Sequence, residues 1–277
     1  MDTAETMRPL DLSRFGHLSA QPFDPVRYGK LKADSYNRSD GDLTGMDCKK
    51  CRNKGRIAHP KEDGGLGFEE CSCMQPRRCL WKMEKSGLRN IIREMTFERY
   101  EAHEAWQERL KTNAMAYANK PDGWLLFCGQ PGSGKTHLCT AVCRHRLLQG
   151  DEVRYMPWRD EITRLKALSL DAPQRENLMQ ELKSARILYI DDLFKAGRTP
   201  DGAAAPTGAD IGIAFELINY RYINHLTTIV STEHNPQELL EIDEATASRI
   251  MERAGANIYH ISRQEARNYR LRGLSQL

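Results

Sequence analysis

The sequence predicts an α/β protein, a parallel sheet covered by helices on both faces, with a small cysteine-bracketed module ahead of it. Three observations predict this. Short apolar runs ("LLFCG", "RILYI", "TTIVS") alternate with helix-length segments beyond residue 124, the pattern of strands buried on both sides. The first run leads directly into "GQPGSGKT", a glycine-rich loop that opens a helix. Five of the eight cysteines fall between Cys48 and Cys79, before the alternation begins.

The elements follow in order. Residues 1 to about 47 hold turn formers and charge, with a helix expected near Asp24–Asn37. In Cys48–Met74, Gly64, Gly65 and Gly67 point to a hairpin or a loose loop between two knuckles. Residues 76–95 read as a basic helix broken at Gly87, and a second helix runs from about Glu101 to Asn119. After a turn at "DGW" come the strand "LLFCG", a helix at 135–148 and a strand at 152–157. Helices are expected near 158–169 and 174–184, then a strand at 186–190, a helix near 209–225 and a strand at 227–231. Helices near 236–241 and 243–254 and a strand at 257–261 complete the pattern. The division expected is 1–74 (cysteine module at about 46–74), a basic linker at 75–95, and one α/β domain at 96–277.

Composition narrows the function classes. Hydrophobic residues make up 40% and charged residues 29%, and no apolar run approaches the roughly 18 residues of a membrane span. The opening "MDTAETMRPLDLSRFG" lacks the apolar core of a signal peptide. A cytoplasmic protein is expected, with reduced thiols, so metal explains the clustered cysteines better than disulfides do. A net charge of +3 does not identify a nucleic-acid partner.

Gly129-Gln130-Pro131-Gly132-Ser133-Gly134-Lys135-Thr136 fits G-x-x-x-x-G-K-[ST] in its proper setting, between an apolar strand and a helix. The glycines let backbone N–H groups converge on phosphate oxygens. Lys135 is expected to neutralise the β- and γ-phosphates of ATP and Thr136 to ligate Mg²⁺, with the helix N-terminus adding its positive end. "ILYIDD" supplies the other half: Asp191 to hold Mg²⁺ and Asp192 to orient and deprotonate an attacking water.

Cys48-x-x-Cys51 and Cys71-x-Cys73, with 19 residues between Cys51 and Cys71, suit a tetrahedral Zn²⁺ site whose metal would supply the module's folding energy. Because C-x-C is the less usual spacing, His59 and Cys79 stay open as replacements for one ligand. Lys49, Lys50, Arg52, Lys54, Arg56 and Lys61 surround the knuckles with no acidic residue between the first and the last. They suit phosphate contact or simply a solvated face.

"LLFCGQPGSGKTHLCTAV", "ILYIDDL", "TTIVSTEHNPQEL" and "SRIMERA" resemble, in that order, the motifs of AAA+ ATPases. They look most like the initiator and helicase-loader branch (DnaA, DnaC and DnaI proteins) and IstB-type transposition helpers. The resemblance covers about residues 46–262. It implies a three-layer P-loop fold, and the 24 residues after Arg253 imply no C-terminal lid domain. It also assigns "TTIVS" to the sensor 1 strand. Glu233 would repel phosphate there, which leaves Thr232 or Asn235 as the sensor. Arg249 and Arg253, on one helical face, match the arginine-finger helix that completes a neighbouring subunit's site in a homo-oligomer; the Ser-Arg arrangement favours Arg249.

The function implied is an ATP-dependent loader of the replicative DNA helicase onto single-stranded DNA, with the N-terminal module on the helicase and Arg159, Arg164 and Lys166 near the DNA. An IstB-like transposition helper is the alternative. A P-loop nucleoside kinase or a zinc-dependent DNA adaptor with a vestigial nucleotide site comes further behind.

Overall fold

The computed structural model describes residues 23–83, 91–195, 205–264 and 268–269. The chain forms two compact units, Met1–Cys71 and Ser72–Leu277.

In the first unit, helix α1 (Pro25–Arg38) starts where the Asp24 carboxylate accepts from the N–H groups of Val26 and Arg27, with proline in its first turn. It packs on an antiparallel hairpin, β1 (Arg56–Pro60) and β2 (Leu66–Glu70). The Asn37 amide donates to the Ala58 carbonyl and accepts from the Ala58 N–H, both at 3.0 Å. Tyr36 meets Phe68 edge-on at 5.1 Å. Of the two arrangements open in sequence, the glycines therefore make an ordered hairpin. Gly64 takes the left-handed φ of 81° that its turn requires.

The second unit runs α2 (Met74–Met83), α3 (Ile91–Glu94), α4 (Ala105–Asn119), β3 (Leu125–Gly129), α5 (Lys135–Leu148), β4 (Val153–Pro157), α6 (Trp158–Ala167) and α7 (Ala172–Ser184). It continues with β5 (Ile187–Asp191), α8 (Gly208–Ile223), β6 (Thr227–Thr232), α9 (Pro236–Ile242), α10 (Glu244–Ala254) and β7 (Ile258–Ile261). The five strands lie in the order β4-β5-β6-β3-β7, all parallel. Because strand side chains alternate, Leu126, Cys128, Leu188, Ile190 and Val230 join the core formed with α6 to α10. The intervening positions Leu125, Phe127, Tyr189 and Ile229 are equally buried, and α5 contacts the sheet strands. The α/β sandwich expected from the apolar runs is what the chain forms.

Several boundaries differ from expectation by a residue or more, and two of them have a clear local cause. α4 begins at Ala105 rather than near Glu101, because Glu104 and Gln107 form a reciprocal capping box that fixes the first turn. The helix expected over 158–169 ends at Ala167 and continues as a 3₁₀ turn. α7 then starts from Asp171, whose carboxylate accepts from the Gln174 N–H. The break expected at Gly87 lies outside the described residues.

Candidate active site

All five strands point the same way, so the ends of β3, β5 and β6 meet at one edge, where ligands of such sheets bind. At the end of β3, Gly129, Gly132 and Gly134 all have left-handed φ (100°, 70° and 91°). A Cβ on Gly129 would run into the Ile261 carbonyl, and one on Gly134 would come within 2.8 Å of the Tyr100 ring. Ser133 closes the loop by donating to the Gln130 carbonyl at 2.7 Å. Gly134 starts α5 without a side-chain cap. Lys135 is buried and donates to the carbonyls of Gly129 (2.9 Å) and Gln130 (2.7 Å). Burial lowers its pKa, while the charges of Asp192 and Glu233 oppose that shift.

Thr136 Oγ1 donates to Asp191 Oδ1 at 3.1 Å, joining the two halves of the site. Asp191 is buried and also accepts from Tyr189 (2.6 Å), Ser231 (2.5 Å) and Tyr155 (2.9 Å). Four hydroxyls thus hold its carboxylate in one orientation, with Thr136 alongside, and the pair suits a shared Mg²⁺.

Asp192 has a φ of 59°, and its N–H donates to Ser231 Oγ at 3.0 Å. Its carboxyl is held above the ordinary carboxylate range, chiefly by burial. Lys195 Nζ stands 2.8 Å from both Asp192 Oδ2 and Glu233 Oε1. Sequence reasoning passed over Lys195 and treated Glu233 only as an obstacle.

The two sensor candidates are committed elsewhere. Thr232 is fully buried and donates to the Leu193 carbonyl at 2.9 Å, so it ties the loop after β5 to β6 and does not line the cleft. Asn235 caps α9 by accepting from the Glu238 N–H at 2.9 Å. Glu233 is the residue after β6 that reaches the cleft.

The cleft encloses about 300 Å³. Besides Gly132, Ser133, Gly134, Lys135, Thr136, Asp192 and Glu233, it is lined from the segment before α4 by Met95, Arg99, Tyr100 and Glu101, and by Tyr269. His137 bonds the Thr96 carbonyl at 2.8 Å and meets Tyr100 edge-on; burial lowers its pKa. The Tyr269 N–H donates to the Gly132 carbonyl at 2.9 Å. These contacts join residues 37 to 137 positions apart in sequence, and no local signal marks them.

Neither Arg249 nor Arg253 lines this cleft. Arg249 donates to Asn219 Oδ1 (3.0 Å) and to the Ala245 carbonyl (2.7 Å), with its guanidinium near the rings of Phe215 and Tyr222. Arg253 Nε is buried without a hydrogen-bond partner. Lys166 pairs with Asp210 at 2.6 Å and Arg164 with Glu161 at 3.9 Å.

The Sγ atoms of Cys48, Cys51, Cys71 and Cys73 all lie within 4.8 Å of one another. Cys48 and Cys71 are 3.8 Å apart, close to the edge of a tetrahedron with Zn–S bonds of about 2.3 Å. The Gly55 N–H donates to Cys51 Sγ at 3.3 Å, and Arg52 and Asn53 take left-handed φ to turn the knuckle. The four thiols fit Zn²⁺. His59 instead lies exposed on β1 beside Glu69, at 3.1 Å, and the Cys79 side chain falls outside the described residues. Arg52 pairs with Asp40, and Lys54 donates to the carbonyls of Asn37 and Ser39.

Residues 69–276, three quarters of the chain and including the whole cleft, match the family described as IstB-like ATP binding protein. The chain belongs to that family. It is an ATP-binding protein with an AAA+ domain of the IstB/DnaC type. No helix among the described residues is long and apolar enough to cross a membrane. Over 242 residues it is 28% identical to the phage-like element PBSX protein XkdC of Bacillus subtilis (strain 168), covering 84% of this chain and 88% of that protein. Over 205 residues it is 24% identical to the replicative helicase loader DnaC of Escherichia coli (strain K12), covering 71% and 78%. A crystal structure of the DnaC helicase loader aligns with a TM-score of 0.48 at 19% identity, covering 61% of this chain and 96% of that one.

Proposed function

We propose that this IstB-like protein hydrolyses ATP and uses the cycle to load a replicative DNA helicase onto single-stranded DNA. The observation that carries the reading is the bond from Thr136, which shares one cleft with Lys135 and Asp192, to the buried Asp191, in a chain related to a named helicase loader. Lys135 would leave the loop carbonyls to neutralise phosphate oxygens. Thr136 and Asp191 would hold Mg²⁺, which supplies positive charge where phosphate charge develops. Asp192, just beyond them, would orient the attacking water and accept its proton. Arg249 or Arg253 would act on the nucleotide of a neighbouring copy, since neither lines its own cleft. The Zn²⁺-bound cysteine module would grip the helicase, and Arg159, Arg164 and Lys166 would lie near the DNA. The ion pair of Lys166 with Asp210 makes it the weakest of those three contacts.

The family description favours a second reading, a transposition helper. The match begins at residue 69, so most of the cysteine module lies outside it, and that module inclines the choice toward the loader.

ATP hydrolysis by the purified protein, alone and with replicative helicase and single-stranded DNA, tests the reading. Stimulation by the helicase–DNA mixture, abolished by Lys135→Ala, is expected. Hydrolysis indifferent to both partners would move the assignment to transposition.

A further inference from the structure

Two carboxylates flank the end of the cleft where Lys135 and Thr136 wait for phosphates: Asp192 and Glu233. Those two charges oppose a polyanion there, and Lys135 faces both of them. Lys195 adds a second cation, 2.8 Å from each carboxylate.

The backbone fixes this arrangement. Asp192 and Phe194 both adopt left-handed φ (59° and 61°), and the Lys195 N–H returns to the Asp192 carbonyl at 2.9 Å. The loop therefore doubles back and aims Lys195 at Asp192. Leu193 and Phe194 anchor it in the core. The Leu193 N–H donates to the Ser231 carbonyl, and Thr232 donates to the Leu193 carbonyl, so the loop is tied to β6, the strand that presents Glu233.

We propose that Lys195 is a positioning residue of the nucleotide site, holding Asp192 and Glu233 in place and cancelling one of their two charges so that the cleft accepts a nucleoside triphosphate. This deepens, and rests on, the nucleotide-site reading above. The lysine explains how a carboxylate at the end of β6 is compatible with phosphate. It also gives buried Thr232 a task, as the tie that keeps the lysine loop in register with Glu233.

The test compares equilibrium binding of ADP and of a non-hydrolysable ATP analogue to Lys195→Met, Lys195→Arg, Glu233→Gln and the Lys195→Met/Glu233→Gln double variant. Removing the lysine's charge from beside Asp192 and Glu233, near the terminal phosphate, should weaken the ATP analogue about tenfold in Lys195→Met, with much less effect on ADP. Glu233→Gln in that background should restore most of the loss, and Lys195→Arg should retain affinity. Equal losses for both nucleotides without rescue would mean a merely structural lysine, and unchanged binding would likewise overturn the proposal. Should Lys195→Met not fold, Glu233→Gln alone decides: tighter ATP-analogue binding supports the charge balance, and unchanged binding rejects it. If the wild-type protein bound neither nucleotide, the nucleotide-site reading itself would fall, and the lysine's role with it.

Discussion

Arg221 sits where no water reaches it, on α8 against the starts of β5 and β6. Its guanidinium donates to the carbonyls of Leu182, Lys183 and Ala185 (3.1, 2.9 and 2.8 Å), to the Thr227 carbonyl, and to Thr228 Oγ1 at 2.9 Å. The first three are end-of-helix carbonyls of α7, which have no intrahelical partners, and a positive charge at a helix C-terminus is favourable. Burial still pushes its pKa down to about 9, so the hydrogen bonds are what make the site tolerable. Arg221→Met should lower unfolding free energy by at least about 3 kcal/mol, since several buried acceptors lose their donors; urea unfolding would measure it. Loss of less than about 1 kcal/mol would mean that water or a shifted backbone replaces those donors. Sequence legibility at this scale followed chemistry with a local pattern. Lys135, Thr136, Asp191 and Asp192 sit in short motifs and were readable. Tyr155, Tyr189 and Ser231 were not, because they matter only through Asp191, which meets Tyr155 and Ser231 across neighbouring strands and Tyr189 two residues back on β5.

The strands were readable at the scale of elements because burial on both faces leaves no polar position in "LLFCG" or "ILYI". Helix ends were harder, since side-chain caps at Glu104 and Asp171 fix them. Which residue after β6 lines the cleft was hard to read for a related reason. β6 extends through Thr232, which keeps that side chain inside the sheet and leaves Glu233 as the first residue free to face the cleft. The cysteine module is the element whose stability depends most on an added component. Its hairpin has one buried strand residue, Ala58, too little apolar burial to order a turn-rich segment unaided. Removing metal with a strong chelator should expose residues 41–73 to proteolysis. ATP affinity should stay within about twofold, because the cleft lies wholly in Ser72–Leu277. Loss of nucleotide binding on chelation would show that the two units are not separable in function.

At the scale of the whole molecule, the arginine that lines the cleft is Arg99, from the segment before α4, and neither candidate finger is there. Lys135, Thr136, Asp191 and Asp192 are gathered at one sheet edge, while Arg249 and Arg253 lie on α10, outside the cleft lining. Under the proposed reading, Arg249 or Arg253 would act from another copy, through a head-to-tail interface in which each site borrows from its neighbour. This predicts complementation. Asp192→Asn lacks the base but keeps its arginines, and Arg249→Ala keeps the base but lacks the proposed finger. Each alone should hydrolyse ATP at least about a hundredfold more slowly than wild type. Mixed in equal amounts, they should regain about a quarter of wild-type activity, because that share of random interfaces pairs an intact base with an intact finger. Repeating the mixture with Arg253→Ala tells the two arginines apart: the finger is the one whose loss is complemented. Mixtures that stay as inactive as their components would place the whole reaction within a single chain and remove the need for an assembly in hydrolysis.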